Sequence, residues 1–236
     1  MQDFMNHLIE KAVANSVSLK VAKLQIKTEW SPDIVISRDP GSGGHPIAKK
    51  IAKKLGWQLF DKTLMLELSQ ELGIPENEVA DVDEHSRSWV ADFVHSVFNP
   101  NYVSDLHYIN HLKQILLHAA KRGDMVILGR GANHILPHDK CLRVRITASF
   151  TTRVNNTYKY ENKASKEAAR EWVRQVEHQR NQFIRQYFGS NPHNPWNYDV
   201  VISTDNLSLD QAVEIILHAY AIKFPKEAKR LKSKLS

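Results

Sequence analysis

A glycine-rich turn between a short apolar run and a basic amphipathic segment constrains this chain more than any other feature. Residues 33–48 read DIVISRDPGSGGHPIA, so β-branched residues lead into a turn that contains three glycines. A strand, a glycine loop and a helix in this order point several backbone N–H groups and the positive end of a helix dipole at one place. The sequence therefore predicts a binding site for a phosphate group at this turn.

The turn departs from the standard phosphate-loop pattern G-x-x-x-x-G-K-[ST], which places a lysine and a hydroxyl after its last glycine. Here Gly43 is followed by glycine, histidine and proline, so neither group stands at the expected position. Arg38, on the same turn, is a candidate to replace the missing lysine. A surface ion pair between Arg38 and Asp39 is the alternative role for this side chain.

The residues that we predict to bind the phosphates act mainly through their backbone amides. They are Gly41, Ser42, Gly43, Gly44 and His45. A tight strand-to-helix turn without a ligand is the alternative explanation for these glycines. We favour phosphate binding because the preceding strand, the following helix and motifs later in the chain agree with it.

The chain has the composition of an ordinary soluble globular protein. Its 236 residues are 42% hydrophobic and 25% charged, so it can bury a substantial core. Cys141 is the single cysteine, which excludes an intramolecular disulfide and fits a reducing compartment. The sequence has no apolar run near the roughly 20 residues needed to cross a bilayer, and its first residues lack a signal-peptide pattern. We therefore expect a cytoplasmic protein without a membrane partner.

The formal net charge of +6 is unevenly distributed. Residues 143–185 contain ten Lys or Arg against four Glu, and residues 223–234 contain six against one. A basic surface favours anionic partners, either nucleotides or nucleic acid. A solvated terminus explains the basic tail more simply. Nucleotides are therefore the expected partners, and nucleic acid is disfavoured.

Short apolar runs alternate with segments of helical periodicity along most of the chain. Strands are predicted at 34–37, 57–60, 125–128, 142–147 and 198–203, and helices at 47–55, 63–72 and throughout 75–122. The core stripe of the last segment comprises Leu106, Ile109, Leu112, Leu116 and Ala119. Strands separated by helices of ten or more residues predict an α/β fold, with a parallel five-stranded sheet covered on both faces.

The chain divides into three predicted segments. Residues 1–32 show apolar residues at helical spacing, which predicts an N-terminal helical extension that packs on the core or forms a homodimer. Residues 33–222 form the α/β domain, and residues 223–236 form the basic C-terminal tail.

Polar residues follow three of the predicted strands. Ser37–Gly44 follow the first, Asp61 the second and Gly129–Arg130 the third. Because parallel sheets bind ligands at the carboxyl ends of their strands, we expect these residues to share one site.

Four stretches of the chain carry a family likeness. They are ISRDPGSGGHPIA at 36–48, LFDK at 59–62, VILGRG at 126–131, and the region from RITAS at 145–149 through YDVVIST at 198–204. Together they resemble the cytidylate kinase-like branch of the nucleoside-monophosphate kinases, over about residues 33–220. The resemblance implies a three-layer α/β/α P-loop kinase-like fold with a mobile helical lid, here at 155–197. It also implies transfer of the γ-phosphoryl group of ATP to a nucleoside monophosphate or a related small acceptor, with Mg²⁺.

The resemblance assigns roles to individual residues. Asp61 stands where related kinases place a carboxylate that contacts the metal through water or the acceptor, although a helix N-cap is the alternative. Arg130 suits the acceptor phosphate because its planar guanidinium binds oxyanions bidentately. The segment Glu177–Arg180 resembles an Asp-x-x-Arg lid motif, whose arginine reaches the transferring group when the lid shuts. A solvated helix face is the alternative for Arg180.

These assignments give two overlapping sets of candidates. The candidate catalytic residues are Arg38, Asp61, Arg130 and Arg180, and the candidate substrate-binding residues are Asp61, Arg130, Glu177 and Arg180.

Two departures from the family pattern leave a second function open. Cytidylate kinases of the well-known type carry Gly-Arg-Asp after the third strand, and that aspartate helps to hold the sugar or base. Here Gly131 occupies the position, and the loop lysine is also absent. The alternative function is a nucleotide-binding regulatory module of the same fold with little or no kinase activity.

Twelve histidines raise the question of a metal site. His107, His111 and His118 fall on one predicted helix face, and His134 and His138 are four residues apart. No carboxylate or cysteine pattern in the sequence completes a ligand set. We therefore predict no metal site built from protein ligands.

Overall fold

The computed structural model describes residues 31–60, 62–74 and 103–235, without the side chains of 62, 63, 103–107 and 232–235. The predicted helices within 1–30 and 75–102 lie outside the described residues, as do the candidate Asp61 and the side chain of Leu106.

Five parallel strands form one sheet. The central strand β1 (Asp33–Arg38) pairs with β3 (Met125–Leu128) and β4 (Cys141–Thr147), while β2 (Gln58–Phe60) and β5 (Val200–Ser203) lie at the edges. The spatial order is β2-β3-β1-β4-β5. Consecutive strands are therefore joined by crossovers, as parallel pairing requires. This confirms the predicted α/β class and the parallel five-stranded sheet.

The register of the central strand sets the position of the loops that follow. Ile36 lies opposite Leu128 on one side and Val144 on the other. Ile34, Val35 and Ile36 are at most 1% exposed, as expected for an interior parallel strand that is covered on both faces. The residues after β1 and β3 consequently emerge side by side at one edge of the sheet.

Helix α1 (Gly44–Leu55) follows the glycine turn directly. It ends at Gly56, as predicted, where a φ of 66° lets the backbone N–H bond to the last turn. The predicted start at residue 47 was three residues too late. Pro46 fits the first turn of a helix because its missing N–H would have no partner within the helix there.

Seven further helices occur in the described ranges. They are α2 (Lys62–Glu71), α3 (Val103–Arg122), α4 (Ala132–Ile135), α5 (Phe150–Tyr160), α6 (Lys166–Phe188), α7 (Leu209–Lys223) and α8 (Pro225–Leu235). Ser149, Ser165 and Ser208 determine where α5, α6 and α7 begin, since each hydroxyl accepts a hydrogen bond from the N–H three residues later. The short helix α4 was not predicted.

The main core cluster lies between β1, β4, α1 and α7. Ile47 and Ile51 of α1 and Ile216 of α7 are fully buried there, together with Ile34 and Val144 of the sheet. Full burial of an aliphatic side chain contributes roughly 1.5–3 kcal/mol. The apolar spacing of α1 and α7 thus fixes these two helices on the sheet.

The predicted stripe on α3 is confirmed where its side chains are described. Ile109, Leu112, Leu116 and Ala119 are all at most 5% exposed, and α3 contacts β3 and α2. Across the described ranges, every helix falls short of the length and apolar character that crossing a bilayer demands.

Asp33 is a buried carboxyl group at the amino-terminal edge of the sheet. Its Oδ1 accepts a 3.1 Å hydrogen bond from the N–H of Met125, and its Oδ2 has no hydrogen-bond partner among the described residues. Burial raises the pKa of Asp33 to about 8, although the Met125 hydrogen bond opposes the shift. The folded protein therefore holds a proton here that the unfolded chain releases.

This proton predicts an unusual pH dependence of stability. The ordinary pKa of 3.8 is raised to about 8 on folding, so the free energy of unfolding should fall as pH rises through this window. In the wild type we expect the free energy of unfolding to fall by on the order of several kcal/mol across this window. Asp33→Asn keeps an oxygen acceptor for the Met125 N–H but cannot ionise, so its free energy of unfolding should change much less with pH. Urea denaturation between pH 5 and 8.5 measures the slope.

The matched control is Asp210→Asn, which removes an exposed carboxylate that pairs with Lys50 at the surface. This control should keep the slope of the wild type. An equally steep decline in Asp33→Asn would contradict the assignment.

Candidate active site

An open cleft lies at the carboxyl edge of the sheet. Its walls are the residues after β1 (Ser37–Pro40), the residues after β3 (Gly129–Gly131), Arg145 of β4, and positions 176–184 of α6. The empty volume, including the part open to solvent, is about 1010 Å³. Its lining combines apolar side chains with convergent charged groups, as ligand sites commonly do.

The glycine turn begins at one end of this cleft and has a backbone shape that favours glycine. Gly41 and Gly43 have φ angles of 77° and 84°. A β-carbon on Gly41 would lie 2.3 Å from the carbonyl oxygen of Arg153, so the turn also packs closely on α5. Gly43 is the N-cap of α1, and no side chain caps the helix. An anion at this helix end would be stabilised by the first-turn amides and the helix dipole.

The carbonyl groups of the turn are tied to other elements. The Asn156 side chain donates to the carbonyl oxygen of Gly41 at 2.9 Å, and the Thr204 hydroxyl donates to that of Ser42 at 2.9 Å. The Ser42 hydroxyl is itself buried and donates to the Asp39 carbonyl at 2.8 Å. Ser42 thus shapes the turn, and its hydroxyl is engaged within the protein.

Arg38 crosses from the glycine turn to the end of β3. Its Cβ lies 2.5 Å from the position that a β-carbon on Gly44 would occupy, and its Nη1 lies 2.1 Å from the corresponding position on Gly129. Both glycines therefore leave room for this arginine. Its guanidinium reaches the β3 side of the cleft, beside Arg130.

The end of β3 contains three consecutive residues with left-handed backbone angles. The φ angles of Gly129, Arg130 and Gly131 are 78°, 58° and 65°. Such angles are uncommon for a residue other than glycine, and strain of this kind concentrates at functional sites. Tyr108 of α3 lies near Arg130; burial raises the pKa of Tyr108, and the positive charge of the arginine opposes that rise. The backbone thus places Arg130 at the cleft in a conformation that is costly for this residue type.

Gly131 leaves no room for the aspartate of the well-known cytidylate kinases. A β-carbon there would lie 2.4 Å from the ring of Phe188, the last residue of α6. The Phe188 ring also stacks on His134 at 5.1 Å between centroids. Aromatic packing thus lies directly behind Gly131.

The region predicted as a lid consists of α5, α6 and the loop that follows. A small apolar cluster of Val154, Ala169 and Val173 joins the two helices. Nη1 of Arg180 donates to the carbonyl oxygen of Arg38 at 3.4 Å. Helix α6 thus lies over the cleft and contacts the end of β1 through its candidate arginine.

Unpaired polar groups are buried on α5, the helix that packs on the glycine turn. Arg153 is 7% exposed and forms a 3.3 Å ion pair with Glu177, but its Nε and Nη1 have no partner among the described residues. The buried hydroxyl of Thr157 is likewise unpaired there, and it lies 2.7 Å from the β-carbon position of Gly41. Because buried polar groups are normally satisfied, this arrangement fits a polyanionic ligand at the turn.

Three arginines surround one aromatic ring near the turn. The guanidinium carbons of Arg153, Arg170 and Arg174 each lie 5.5 Å from the centroid of the Phe150 ring. Cation–π attraction holds these charges together despite their mutual repulsion. The lid therefore presents concentrated positive charge next to the glycine turn.

The structure brings most of the sequence-predicted residues together. Arg38, Arg130, Glu177 and Arg180 all line the cleft. Gly41–His45 form the adjoining turn and the start of α1. Asp61 belongs to the part of the chain that is not described.

Sequence reasoning missed the ion pair between Asp39 and Arg145. Arg145 Nη2 lies 2.5 Å from the Asp39 carboxylate, which also accepts a 2.6 Å hydrogen bond from Thr147. A signal was present, since β4 reads CLRVRIT and a strand buried on both faces rarely carries arginine. The sequence interpretation had considered only Arg38 as a partner for Asp39.

No group of three or more metal-binding side chains converges within the described ranges. Mg²⁺ needs fewer protein ligands, because it commonly binds through one or two carboxylates together with substrate phosphates.

Comparison with known proteins places the chain in a family. A model of the cytidylate kinase-like family matches residues 33–206. The chain is 26% identical over 187 residues to a cytidylate kinase of Pyrobaculum aerophilum, covering 78% of this chain and 90% of that protein. It is 27% identical over 185 residues to a cytidylate kinase of Pyrobaculum neutrophilum, with the same coverage.

A solved structure shares the fold. An uncharacterized protein from Eubacterium ventriosum superposes with a TM-score of 0.58 at 20% identity, covering 80% of this chain and 97% of that chain. The strand ends and the turn that build the cleft all lie within the region matched by the family model, which is well over half of the chain. The protein therefore belongs to the cytidylate kinase-like family.

Proposed function

We propose that the protein transfers the γ-phosphoryl group of ATP to a nucleoside monophosphate or a related small phosphate acceptor. This proposal depends mainly on one observation: the glycine turn, suited to one set of phosphates, adjoins a cleft with arginines suited to another. The uncapped glycine turn passes through Arg38–Pro40 directly into a cleft lined by Arg130 and Arg180. Phosphoryl transfer needs donor and acceptor phosphates in line, with their charge neutralised and water excluded.

The donor phosphates are assigned to the turn. Backbone amides of Gly41, Gly43, Gly44 and His45 replace the conventional lysine as the main source of positive potential. Arg153 of α5, the helix that packs on Gly41, carries two guanidinium nitrogens that are unpaired within the described ranges and adds positive charge on this side of the turn. When bound with the nucleotide, Mg²⁺ supplies further neutralisation of the phosphates, and Asp61 is the candidate carboxylate for it.

The acceptor phosphate is assigned to the end of β3. Arg130 and Arg38 present planar guanidinium groups from two neighbouring strand ends, and such groups bind oxyanions bidentately. The remaining wall of the cleft is apolar, with Val176, Phe183 and Ile184 of α6. An acceptor with an anionic group beside a largely apolar body fits this composition.

Arg180 is assigned to the transferring phosphoryl group. In the structure its guanidinium donates to the carbonyl oxygen of Arg38, at the junction between the turn and the cleft. A phosphoryl group passing between the two assigned sites would come within reach of this arginine. Positive charge placed at that junction stabilises the transition state more than the ground state.

A nucleotide-binding module with little transfer activity is the second candidate function. The absence of both the loop lysine and the residue-131 aspartate favours it, because the lysine would neutralise the donor phosphates and the aspartate would hold the acceptor. The expectations of a cytoplasmic location and of a homodimer through residues 1–32 remain predictions.

A coupled assay of ADP release separates the two candidates. We expect ADP release that depends on an acceptor, when ATP and Mg²⁺ are supplied with CMP, dCMP, UMP or AMP in turn. Release no faster than the acceptor-free background, with ATP binding detected by calorimetry, would favour the binding module instead.

Substitution of Arg130 should weaken binding of the acceptor and leave binding of ATP unchanged. Arg130→Ala should raise the KM of the acceptor about tenfold or more, because a bidentate charge-assisted contact is lost. The KM of ATP should change little. Initial-rate kinetics with each substrate varied in turn measures both values.

A second variant separates this role from a structural one. Arg130→Gly removes the same guanidinium but relaxes the left-handed backbone, so it should stabilise the protein by about 1 kcal/mol while still impairing the acceptor. Equal loss of ATP and acceptor binding in both variants would contradict the assignment.

Substitution of Arg180 should lower the rate of phosphoryl transfer more than it weakens substrate binding. Arg180→Ala should lower kcat about a hundredfold with a smaller change in either KM, since its contact forms mainly in the transition state. Lys166→Ala, which removes an exposed charge from the first turn of the same helix, is the control. An unchanged kcat in Arg180→Ala would remove this arginine from the mechanism.

A further inference from the structure

The turn that we assign to the donor phosphates contains a buried negative charge. Asp39 lies within it, and its side chain is only 7% exposed. The backbone of Asp39 is part of the turn itself, because its carbonyl oxygen accepts hydrogen bonds from both the N–H and the hydroxyl of Ser42, at 3.3 and 2.8 Å. A carboxylate at this position opposes the binding of any anion at the neighbouring amides.

One arginine of the central sheet compensates this charge. Nη2 of Arg145 lies 2.5 Å from the carboxylate, and the Arg145 side chain is 8% exposed. Thr147, two residues further along the same strand, donates to the other carboxylate oxygen at 2.6 Å. The carboxylate is thereby neutralised and fixed in orientation from β4.

Arg145 is itself held in place on its other side. Its Nη1 contacts the hydroxyl of Tyr198 at 3.3 Å, and its Nη2 contacts Nδ1 of His193 at 3.3 Å. The guanidinium also lies 5.6 Å from the centroid of the Tyr198 ring. Because these contacts fix the Arg145 guanidinium in place, it can neutralise the Asp39 carboxylate but is poorly placed to move with a substrate.

We propose that Arg145 is a positioning residue of the phosphate site, which neutralises and orients Asp39 so that the glycine turn can accept the anionic phosphates of a nucleotide. This inference rests on the proposed function of the turn. It adds a residue to which neither the loop pattern nor the family resemblance assigns a role.

The same strand offers a matched control. Arg143 precedes Arg145 by two residues, so it lies on the same face of β4, and its side chain is 10% exposed. It pairs with Asp199 at 2.8 Å, near the opposite end of the strand from the cleft. Arg143→Met therefore removes a second arginine–aspartate ion pair of the same strand, one whose Asp199 is 22% exposed, without touching the turn.

The test measures ADP binding by calorimetry in the full-length protein, with circular dichroism to confirm folding. Arg145→Met should weaken ADP binding about tenfold or more, because it leaves the Asp39 carboxylate uncompensated beside the phosphates. The double variant Asp39→Asn with Arg145→Met should recover affinity to within about threefold of the wild type, since it removes both charges. Arg143→Met should bind ADP as the wild type does.

A further variant covers the case in which Arg145→Met does not fold. Asp39→Asn alone removes the negative charge and retains an oxygen acceptor for Arg145, so it should bind ADP at least as tightly as the wild type. A purely structural role for the pair predicts weaker binding in this variant.

The outcomes separate this inference from the function on which it rests. If the wild type takes up no ADP, both are overturned. If the wild type binds ADP, the inference alone fails under any of four results: Arg145→Met binds normally, the folded double variant does not recover, Arg143→Met loses as much affinity, or Asp39→Asn binds ADP more weakly than the wild type.

Discussion

The parallel pairing of β1 with both β3 and β4 is the constraint on which the site depends. Ile36 stands between Leu128 and Val144, so the carboxyl ends of the three strands reach the same edge of the sheet. This register determines where Arg38, Arg130 and Arg145 lie in the cleft, because each of them is in a strand of the sheet or directly follows one. A one-residue slip of β1 would send alternate side chains to the other face and separate Asp39 from Arg145.

The strands, helices and turns whose conformation depends on neighbouring residues in the chain could be predicted from the sequence. The strand, glycine turn and helix at 33–55 could be predicted because β-branched residues, glycines and a basic amphipathic repeat each favour one conformation. Gly56 marked the end of α1, and the apolar stripe of α3 was recognised from its spacing. The first turn of α1 was missed because Gly44 and Pro46 have low helix propensity, and the helix tolerates them only at its N-terminus.

The cross-strand chemistry of the site could not be predicted in the same way. The partner of Asp39 lies 106 residues away along the chain, and only the completed sheet brings Arg145 beside it. The reach of Arg38 over Gly44 and Gly129 also depends on the register, since the sequence marks both glycines but does not show which side chain crosses them. Local patterns identify which residues are chemically suitable, whereas the pairing of strands decides which of them meet.

The contact between Gly41 and α5 links the nucleotide turn to the first helix of the lid region. Asn156 of α5 donates to the Gly41 carbonyl, and the Arg153 carbonyl occupies the space where any larger residue at position 41 would place its β-carbon. A single methyl group at this position would therefore act as a wedge between the turn and α5. Glycine at position 41 consequently determines the distance between the turn and α5 as well as the backbone shape of the turn.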